Sequence, residues 1–594
     1  MSNDLGIDRS GNGNNWTVNN ITYSDQVVDS PTNNFATMNP LDIHQAGKTT
    51  LSEGNLKLTA TSGTHNISLA TFSVSSGKWY WEYKVDNSSV NNQDFGFVIN
   101  KSGSDFAADS EVGSSGNNGY AYSPETDKIK SNGTASSAFG SGVGVGSIIG
   151  IALDMDNGKV WWSVNGTFVS SGNPATGSNA QYSSISGNAT PAIRISNTYI
   201  NDPVVNFGQD SSFAGNKTAQ GYQDGNDIGD FYYTPPTGFL ALCTKNLPDV
   251  AVTPSEHFNT VLYNGSSSTP LAVTGVGFSP DMTWLKARST GWGNGLFTRL
   301  NGTGAGSGYK YIFTNTTAGE TDQWGAITFD SDGFTGVSSG YNGSFAHDFG
   351  GNGQTFVSWN WKANGSGSAN TNGSINSTVS ANVDAGFSIV SYNGTEANAT
   401  VGHGLSKAPE MILTKNRGAA TNWGVYNFRM GTNKVIYLDS TSTADTDTAV
   451  WQNTTPTSSV FSIGNTTYAN ADYDYIAYCF HSVDGYSKVG SYTGNGSTDG
   501  TFVYTSFAPA FILWKNITDA NTNWIIFDNK RDTYNPNDDA LYPNTAAGEE
   551  EDYDVDFLSN GFKFRNTSSW ANLGGKTYIY LAFAETPFKY SNAK

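Results

Sequence analysis

Metal-dependent catalysis needs closely spaced ligands. The six histidines of this 594-residue chain (His44, His65, His257, His347, His403 and His481) are scattered, with no His-x-x-x-His or Glu-linked pair. No Gly-x-Ser-x-Gly elbow and no phosphate-cradling loop stands in a strand-to-helix context. Asp154, Asp156 and Asn157 are closely spaced oxygen ligands of the kind calcium takes, but the rest of a roughly 12-residue calcium loop and its distal Glu are missing. Glycan cleavage needs only two carboxylates about 5 to 10 Å apart, which folding can bring together. The run Glu549-Glu550-Glu551-Asp552-Tyr553-Asp554-Val555-Asp556 offers acids, although such a run is usually a solvated loop. No enzyme, no catalytic residue, no metal and no cofactor is therefore expected.

Tryptophans remain as candidates for recognition. Trp79 and Trp81 alternate, and Trp161 and Trp162 are adjacent, so on a strand one of each pair should face away from the core of its sheet. An outward Trp among Asn and Asp can stack on a sugar face, and it can equally anchor a subunit interface. These four are the expected ligand-binding residues. Trp292, Trp423 and Trp524 recur at matching places in a repeat and are expected in cores. Cys243 and Cys479 lie in apolar runs and read as buried free thiols.

The elements that must position these residues read as strands. Fifteen Trp, 30 Tyr and 33 Phe exclude disorder, and 68 Gly with abundant Asn, Ser and Thr lie between short apolar runs. No stretch shows sustained helical periodicity, so the chain is expected to be all-β and to hold several domains. A net charge of −20 argues against nucleic acid and an anionic membrane surface as partners. Neither a signal peptide nor a transmembrane run is read from the sequence, so a protein working outside a cell is expected to leave it by lysis or in a particle. The many Asn-x-Ser/Thr triplets then follow from composition and are not read as glycosylation sites.

Three copies of one pattern fill the C-terminal part of the chain. Each opens on a Tyr-x-Gly turn (Tyr263, Tyr392, Tyr492) and continues to a proline and an apolar run ending in Lys (Pro280 to Lys286, Pro409 to Lys415, Pro509 to Lys515). A Trp and an apolar run follow, and an aromatic strand closes each copy (Phe356, Tyr475, Tyr578). Copies two and three are offset by 100 to 101 residues and copies one and two by 129 to 131. The added length falls in a Ser/Asn/Gly tract. A period longer than the roughly 20 to 50 residues of solenoid repeats makes each copy a small domain. The expected order is a turn-rich segment 1–55, a β-sandwich 56–212, a bridge 213–254, repeats 255–364, 386–484 and 485–594, and a linker 365–385.

Within 56–212, Gly77-Lys78-Trp79-Tyr80-Trp81-Glu82 alternates as a half-buried strand should, and two Asn-Gly turns, Asn157-Gly158 and Asn165-Gly166, specify a meander. These residues, with Gly150 to Gly158, Trp161 to Gly166, Pro191 to Arg194 and Val205 to Gly208, resemble the SPRY family of β-sandwiches. That resemblance implies a concanavalin-like two-sheet sandwich that binds protein or glycan through its loops without catalysis. The loops 87–119 and 172–190 are the candidates here. The segments Leu5 to Thr17, Val28 to Asn34, Met38 to Asp42, Tyr233 to Pro248 and Ala582 to Lys589 resemble large virion proteins of bacteriophages, especially phages of marine bacteria. They imply a non-enzymatic virion protein, a tail or head fibre or adhesin, assembled in the host cytoplasm, released by lysis and commonly a homotrimer. Its partners would be other virion proteins and a host-surface glycan or protein, and the turn-rich N-terminal segment would dock to the particle. A scaffold or decoration protein that binds only virion subunits, and a glycan-depolymerising tailspike, are the alternatives.

Overall fold

In the computed structural model the chain is all-β, with only short 3-10 turns beside its strands. Residues 5–591 are described except 9, 20–26, 31, 45–47, 62–64, 86–88, 108–109, 197, 199–201, 269, 305–306 and 338–347. No described helix is long and apolar enough to cross a membrane. The chain divides into two compact units, Met1–Asp249 and Val250–Lys594.

The first unit is a sandwich of two antiparallel sheets. One runs Met38–Ile43, Asn66–Ala70, Ala189–Ile195, Asp94–Ile99, Gly119–Ser123, Lys128–Ser131 and Thr134–Ala135. The other runs Thr167–Phe168, Lys159–Val164, Ile148–Asp154, Lys78–Lys84, Val204–Asn206, Lys57–Ala60 and Thr49–Ser52. Aromatic side chains join the layers: Tyr83 stacks on Phe95 at 5.0 Å and Phe97 on Trp162 at 6.3 Å. The turn at Asn165-Gly166 has φ of 49° and 80°, the left-handed pair a tight hairpin requires.

Two expected boundaries move. Residues from Phe35 onward belong to the sandwich, because Met38–Ile43 is its edge strand and Thr49–Ser52 pairs with Lys57–Ala60. The expected bridge is also part of this unit as far as Asp249: Leu240–Ala241 pairs in parallel with Trp79-Tyr80, while Val252 already belongs to the core of the second unit. Phe231, Phe239 and Cys243, with Phe35, cover Tyr80, Ala152 and Trp161 on the outer face of the second sheet.

In the second unit each repeat builds a main sheet with one strand order, first-last-second-third. These sheets are Phe258–Asn264, Thr355–Trp361, Met282–Ala287, Gly295–Thr298; then Phe387–Asn393, Asp474–Phe480, Met411–Asn416, Gly424–Asn427; then Ser487–Thr493, Thr577–Pro587, Phe507–Asn516, Trp524–Asp528. A second sheet covers the outer face of each over a local core. The inner faces meet in one core holding Trp284, Trp359 and Trp361 of repeat one, Leu413 and Trp423 of repeat two, and Phe511, Trp524 and Phe583 of repeat three. Period-two alternation explains the division, with Trp284 turned inward and Leu285 outward. Serially displayed, separate domains were expected; the three repeats instead share this core. The expected linker is also folded: Ser368–Asn370 and Ser377–Asn382 form a hairpin that extends the second main sheet.

Each repeat lays a loop over the next, and the third returns to the first. Trp423 Nε1 donates to Phe313 O at 2.9 Å and Trp524 Nε1 to Tyr437 O at 2.9 Å. Asn294 Nδ2 makes the matching bond to Tyr542 O at 3.0 Å. Trp292 is therefore not the counterpart of Trp423 and Trp524. It is half-buried and tilted on Phe356 at 6.0 Å, while Asn294 takes the core position opposite Lys286.

Candidate functional site

All four tryptophans expected to touch ligand are inside. Trp79 and Trp81 are 1% exposed and Trp161 and Trp162 0%. Trp161 and Trp162 do face opposite ways, but both faces of their sheet are covered, Trp162 against the opposite sheet and Trp161 under the 231–243 segment. Trp79 and Trp81, two residues apart, share the face that Tyr83 turns to the opposite sheet, so the expectation that one of them points outward fails on strand geometry itself. Trp79 Nε1 donates to Ser76 O at 2.7 Å and Trp162 Nε1 to Phe95 O at 3.2 Å. Asp154 accepts from Asn157 N at 3.0 Å and pairs with Lys78 at 3.2 Å, and Asp156 accepts from Gly77 N at 2.7 Å, so these carboxylates hold their own turn and the strand beside it. Among the described residues no cluster of three or more His, Cys, Asp or Glu could hold a metal ion; His347 lies outside them.

Trp161 and Trp162 nonetheless support a site from beneath. A cleft of about 600 Å³ opens beside them between the Lys128–Ser131/Thr134–Ala135 hairpin and the 170–182 loop. Trp161 Nε1 holds Ser178 O at 2.8 Å, and Trp162 N donates to Gln181 Oε1 at 3.0 Å. Gln181 Nε2 in turn donates to Val169 O at 3.2 Å and Asn179 O at 2.9 Å, and Asn179 Nδ2 to Ser171 O at 3.0 Å. Tyr182 stands edge-on to Tyr120 at 5.2 Å and to Trp162 at 6.4 Å, and burial pushes its hydroxyl above the ordinary tyrosine range.

The opposite wall carries Ile129 and Phe139. Asp127 anchors it: Ser141 N donates to its carboxylate at 2.8 Å, the Tyr122 and Ser141 hydroxyls bond to it, and Phe139 N donates to its carbonyl at 3.0 Å. Ser170, Ser171 and Asn179 have φ of 54°, 54° and 52°, so three non-glycine residues on the rim are left-handed. Strain of this kind collects where surrounding structure over-determines the backbone. Among the described residues no charged side chain lines the cleft. Of the expected loops, 172–190 supplies Asn179 to Tyr182. The described part of 87–119 instead places Glu111 and Asp94 on Arg194, at 2.9 and 2.8 Å.

Sequence reasoning passed over two other buried networks. Glu82 is fully buried and accepts four bonds, from Tyr80 Oη at 3.1 Å, Asn206 Nδ2 at 3.2 Å, Tyr232 N at 2.9 Å and Tyr233 N at 2.8 Å. Burial raises its carboxyl to about 7. The clue was a Glu in an otherwise aromatic strand. In the second unit, Lys286, Lys415 and Lys515 are buried with no ion pair among the described residues. Lys286 Nζ donates to Asn294 Oδ1 at 2.7 Å and Thr545 O at 3.3 Å, and Lys415 Nζ to Thr317 O at 2.8 Å. Lys515 Nζ stays within its repeat, on Thr522 O at 2.9 Å and Asn516 O at 3.0 Å. Burial lowers Lys286 and Lys515 to about 7 and Lys415 to about 8. The acidic run is a strand, Glu550–Leu558, and not a loop. Both cysteines are free and buried, and burial raises Cys243 to about 11.

Fold and site define an all-β protein in two parts, a sandwich carrying an uncharged cleft and a closed ring of three repeats. The chain belongs to the family defined by DUF7483, a domain of unknown function, whose model matches residues 253–587 and so falls within the ring. It is similar to the SPRY domain of human HERC1, at 17% identity and a TM-score of 0.23, over 28% of this chain and 96% of that one. It is also similar to another human SPRY domain (15%, TM-score 0.21, 27% and 94%). The TRIM65 PSpry domain matches at 13% identity and a TM-score of 0.22, over 29% and 92%. No curated protein matches the chain.

Proposed function

We propose that the chain is a non-enzymatic structural protein of a bacteriophage virion, a tail-fibre or head-fibre adhesin that holds a neutral host-surface glycan in the cleft beside Tyr182. The observation that carries this reading is the lining: Ser170 offers a hydroxyl, Asn179 an amide that Gln181 holds in place, Phe139 and Tyr182 offer rings, and no counter-charge for a phosphate or carboxylate is present among the described residues. Amides and hydroxyls exchange hydrogen bonds with sugar hydroxyls, and rings stack on sugar faces. The virion assignment rests on the flanking segments that resemble phage structural proteins. Because the repeats share one core, multivalency would come from several copies of the chain, as in a homotrimer, joining weak contacts through high effective concentration. Other virion proteins would be its remaining partners.

The test is binding of the labelled full chain to an array of neutral and charged glycans, to host cells before and after glycan stripping, and to virions lacking the chain. Neutral-glycan binding that Tyr182→Ala weakens about tenfold, the size of one lost ring contact, is expected. Binding to depleted virions alone would overturn the adhesin and leave a scaffold. A depolymerase is the second reading, favoured by one observation: Asp539 lies directly opposite Glu551 beside a cleft in the ring. Release of reducing sugar that Glu551→Gln abolishes would support it.

A further inference from the structure

The three seams of the ring share one pattern, so each is a control for the others. The carbonyls of Phe313, Tyr437 and Tyr542 hold equivalent places. Seven residues beyond each stand Glu320, Ala444 and Glu549, whose amides donate to Arg417 O at 2.8 Å, Ile517 O at 3.4 Å and Arg288 O at 2.7 Å. Three residues before each stand Lys310, Lys434 and Asp539. Where the ring closes from repeat three to repeat one, a cation has therefore been replaced by an anion.

At that seam a cleft of about 500 Å³ opens between Arg288, Ser289 and Thr355 of repeat one and Asp539, Glu549 and Glu551 of repeat three. Its own cations are taken. Arg288 pairs with Glu549 at 2.8 Å, and the buried Arg531 pairs with Asp528 at 2.7 Å and Glu549 at 2.8 Å. Those two guanidinium groups pair with Glu549 and Asp528, which leaves Asp539 and Glu551 with no ion pair among the described residues. In the seam between repeats one and two, Arg417 pairs with Glu320, and the register of the Tyr311–Thr321 bridge sets Lys310 opposite Asp322, so these four charges cancel. Asp539 and Glu551 are directly opposite in the antiparallel register, an arrangement that destabilises a strand pair when both are charged. Burial first, then Glu549, raises Asp539 to about 6.

We propose that this cleft binds a primary ammonium group of a ligand, which supplies the positive charge that Lys310 and Lys434 carry in the sister seams. The volume accommodates a lysine side chain or an amino sugar. Neither source depends on the sandwich cleft, so failure here leaves the proposed function standing.

The full chain titrated with Nα-acetyl-lysine amide and with glucosamine, followed by NMR, tests this, with N-acetylglucosamine as the uncharged control. Saturable binding of at least one amine is expected, with none for the control, and the better-bound amine identifies the source. Asp539→Asn, nearly isosteric, should weaken binding about tenfold, as removal of one charged hydrogen-bond partner does. Asp539→Lys, which copies the sister repeats, should abolish it. Amines that bind no better than N-acetylglucosamine, or that bind Asp539→Asn as well as the native chain, overturn the proposal.

Discussion

Among the described residues, the sandwich buries a carboxylate that has no ion pair, and the ring buries three ammonium groups that have none. Glu82 in the first is surrounded by four donors, which suit an anion, yet complete removal from water raises its carboxyl to about 7. Lys286, Lys415 and Lys515 in the second face carbonyl and side-chain amide or hydroxyl oxygens, which suit a cation, yet burial lowers them to between about 7 and 8. In both regions a buried polar group ties one segment to another, and in both desolvation outweighs the hydrogen bonds. The difference lies in what is tied: Glu82 fastens the 232–233 segment to its own sheet, whereas Lys286 and Lys415 fasten neighbouring repeats.

The largest expected effect tests whether the ring is one body. Trp524 is fully buried in the common core and bonds across the seam to Tyr437 O. Trp524→Ala should destabilise the second unit by about 3–5 kcal/mol, the range for a large core truncation. Hydrogen exchange should accelerate together at core amides of all three repeats. Acceleration confined to 485–594 would show that the repeats are separate after all.

That sharing was the least legible part of the sequence. The all-β class was legible because aromatic and β-branched runs alternate between glycine-rich turns, and Gly166 marks a hairpin that the structure contains. The repeat and its terminal Lys were visible too. Alternation, however, says only that neighbouring residues face opposite ways; it cannot say that both faces of a sheet are covered, which is why Trp161 and Trp162 looked available, and it sets Trp79 and Trp81, two residues apart, on one face and not on two. Covering one face takes Phe231, Phe239 and Cys243, far along the chain from those residues. The alignment of Trp292 with Trp423 failed by two residues for a similar reason, since strand register and not residue type places Asn294 opposite Lys286. A signal for the seams was present in the parallel segments from Lys310, Lys434 and Asp539 onward, where the charge of the first position inverts.

The second prediction concerns pH and separates the regions by sign. A carboxyl raised in the folded state gives stability that is present below its unfolded value of 4.5 and is lost as pH climbs toward about 7. A lysine lowered in the folded state gives stability that is present above 10.5 and is lost as pH falls toward about 7 or 8. Denaturation followed by unit-specific amide exchange should find the Glu82 contribution declining from pH 5 to 7 and the lysine contribution rising from pH 8 to 10. Each group contributes at most about 1.4 kcal/mol per pH unit. Lys286→Met should remove part of the alkaline rise. Glu82→Gln should flatten the acidic decline and, by facing an NH2 toward a backbone donor, cost about 1–3 kcal/mol at pH 5. Unchanged slopes in both variants would mean that neither group titrates as its burial implies.

The smallest effect distinguishes the seams. Arg288–Glu549 and Arg417–Glu320 close two of them at 2.8 and 3.0 Å, while Ile517 and Ala444 hold the equivalent places in the third and rest on the common core. Installing Ile517→Arg and Ala444→Glu together should recreate the pair. A double-mutant cycle should give a coupling of about 0.5–1 kcal/mol, since the two existing pairs are only partly buried. Ile517→Arg alone should destabilise, because it removes apolar contact and brings in a charge without a partner. The coupling should fall with added salt. A coupling near zero would mean that the apolar seam is not merely a weaker version of the other two: the backbone bond from Ala444 N to Ile517 O, at 3.4 Å the longest of the three, would then hold its strands too far apart for the pair to form.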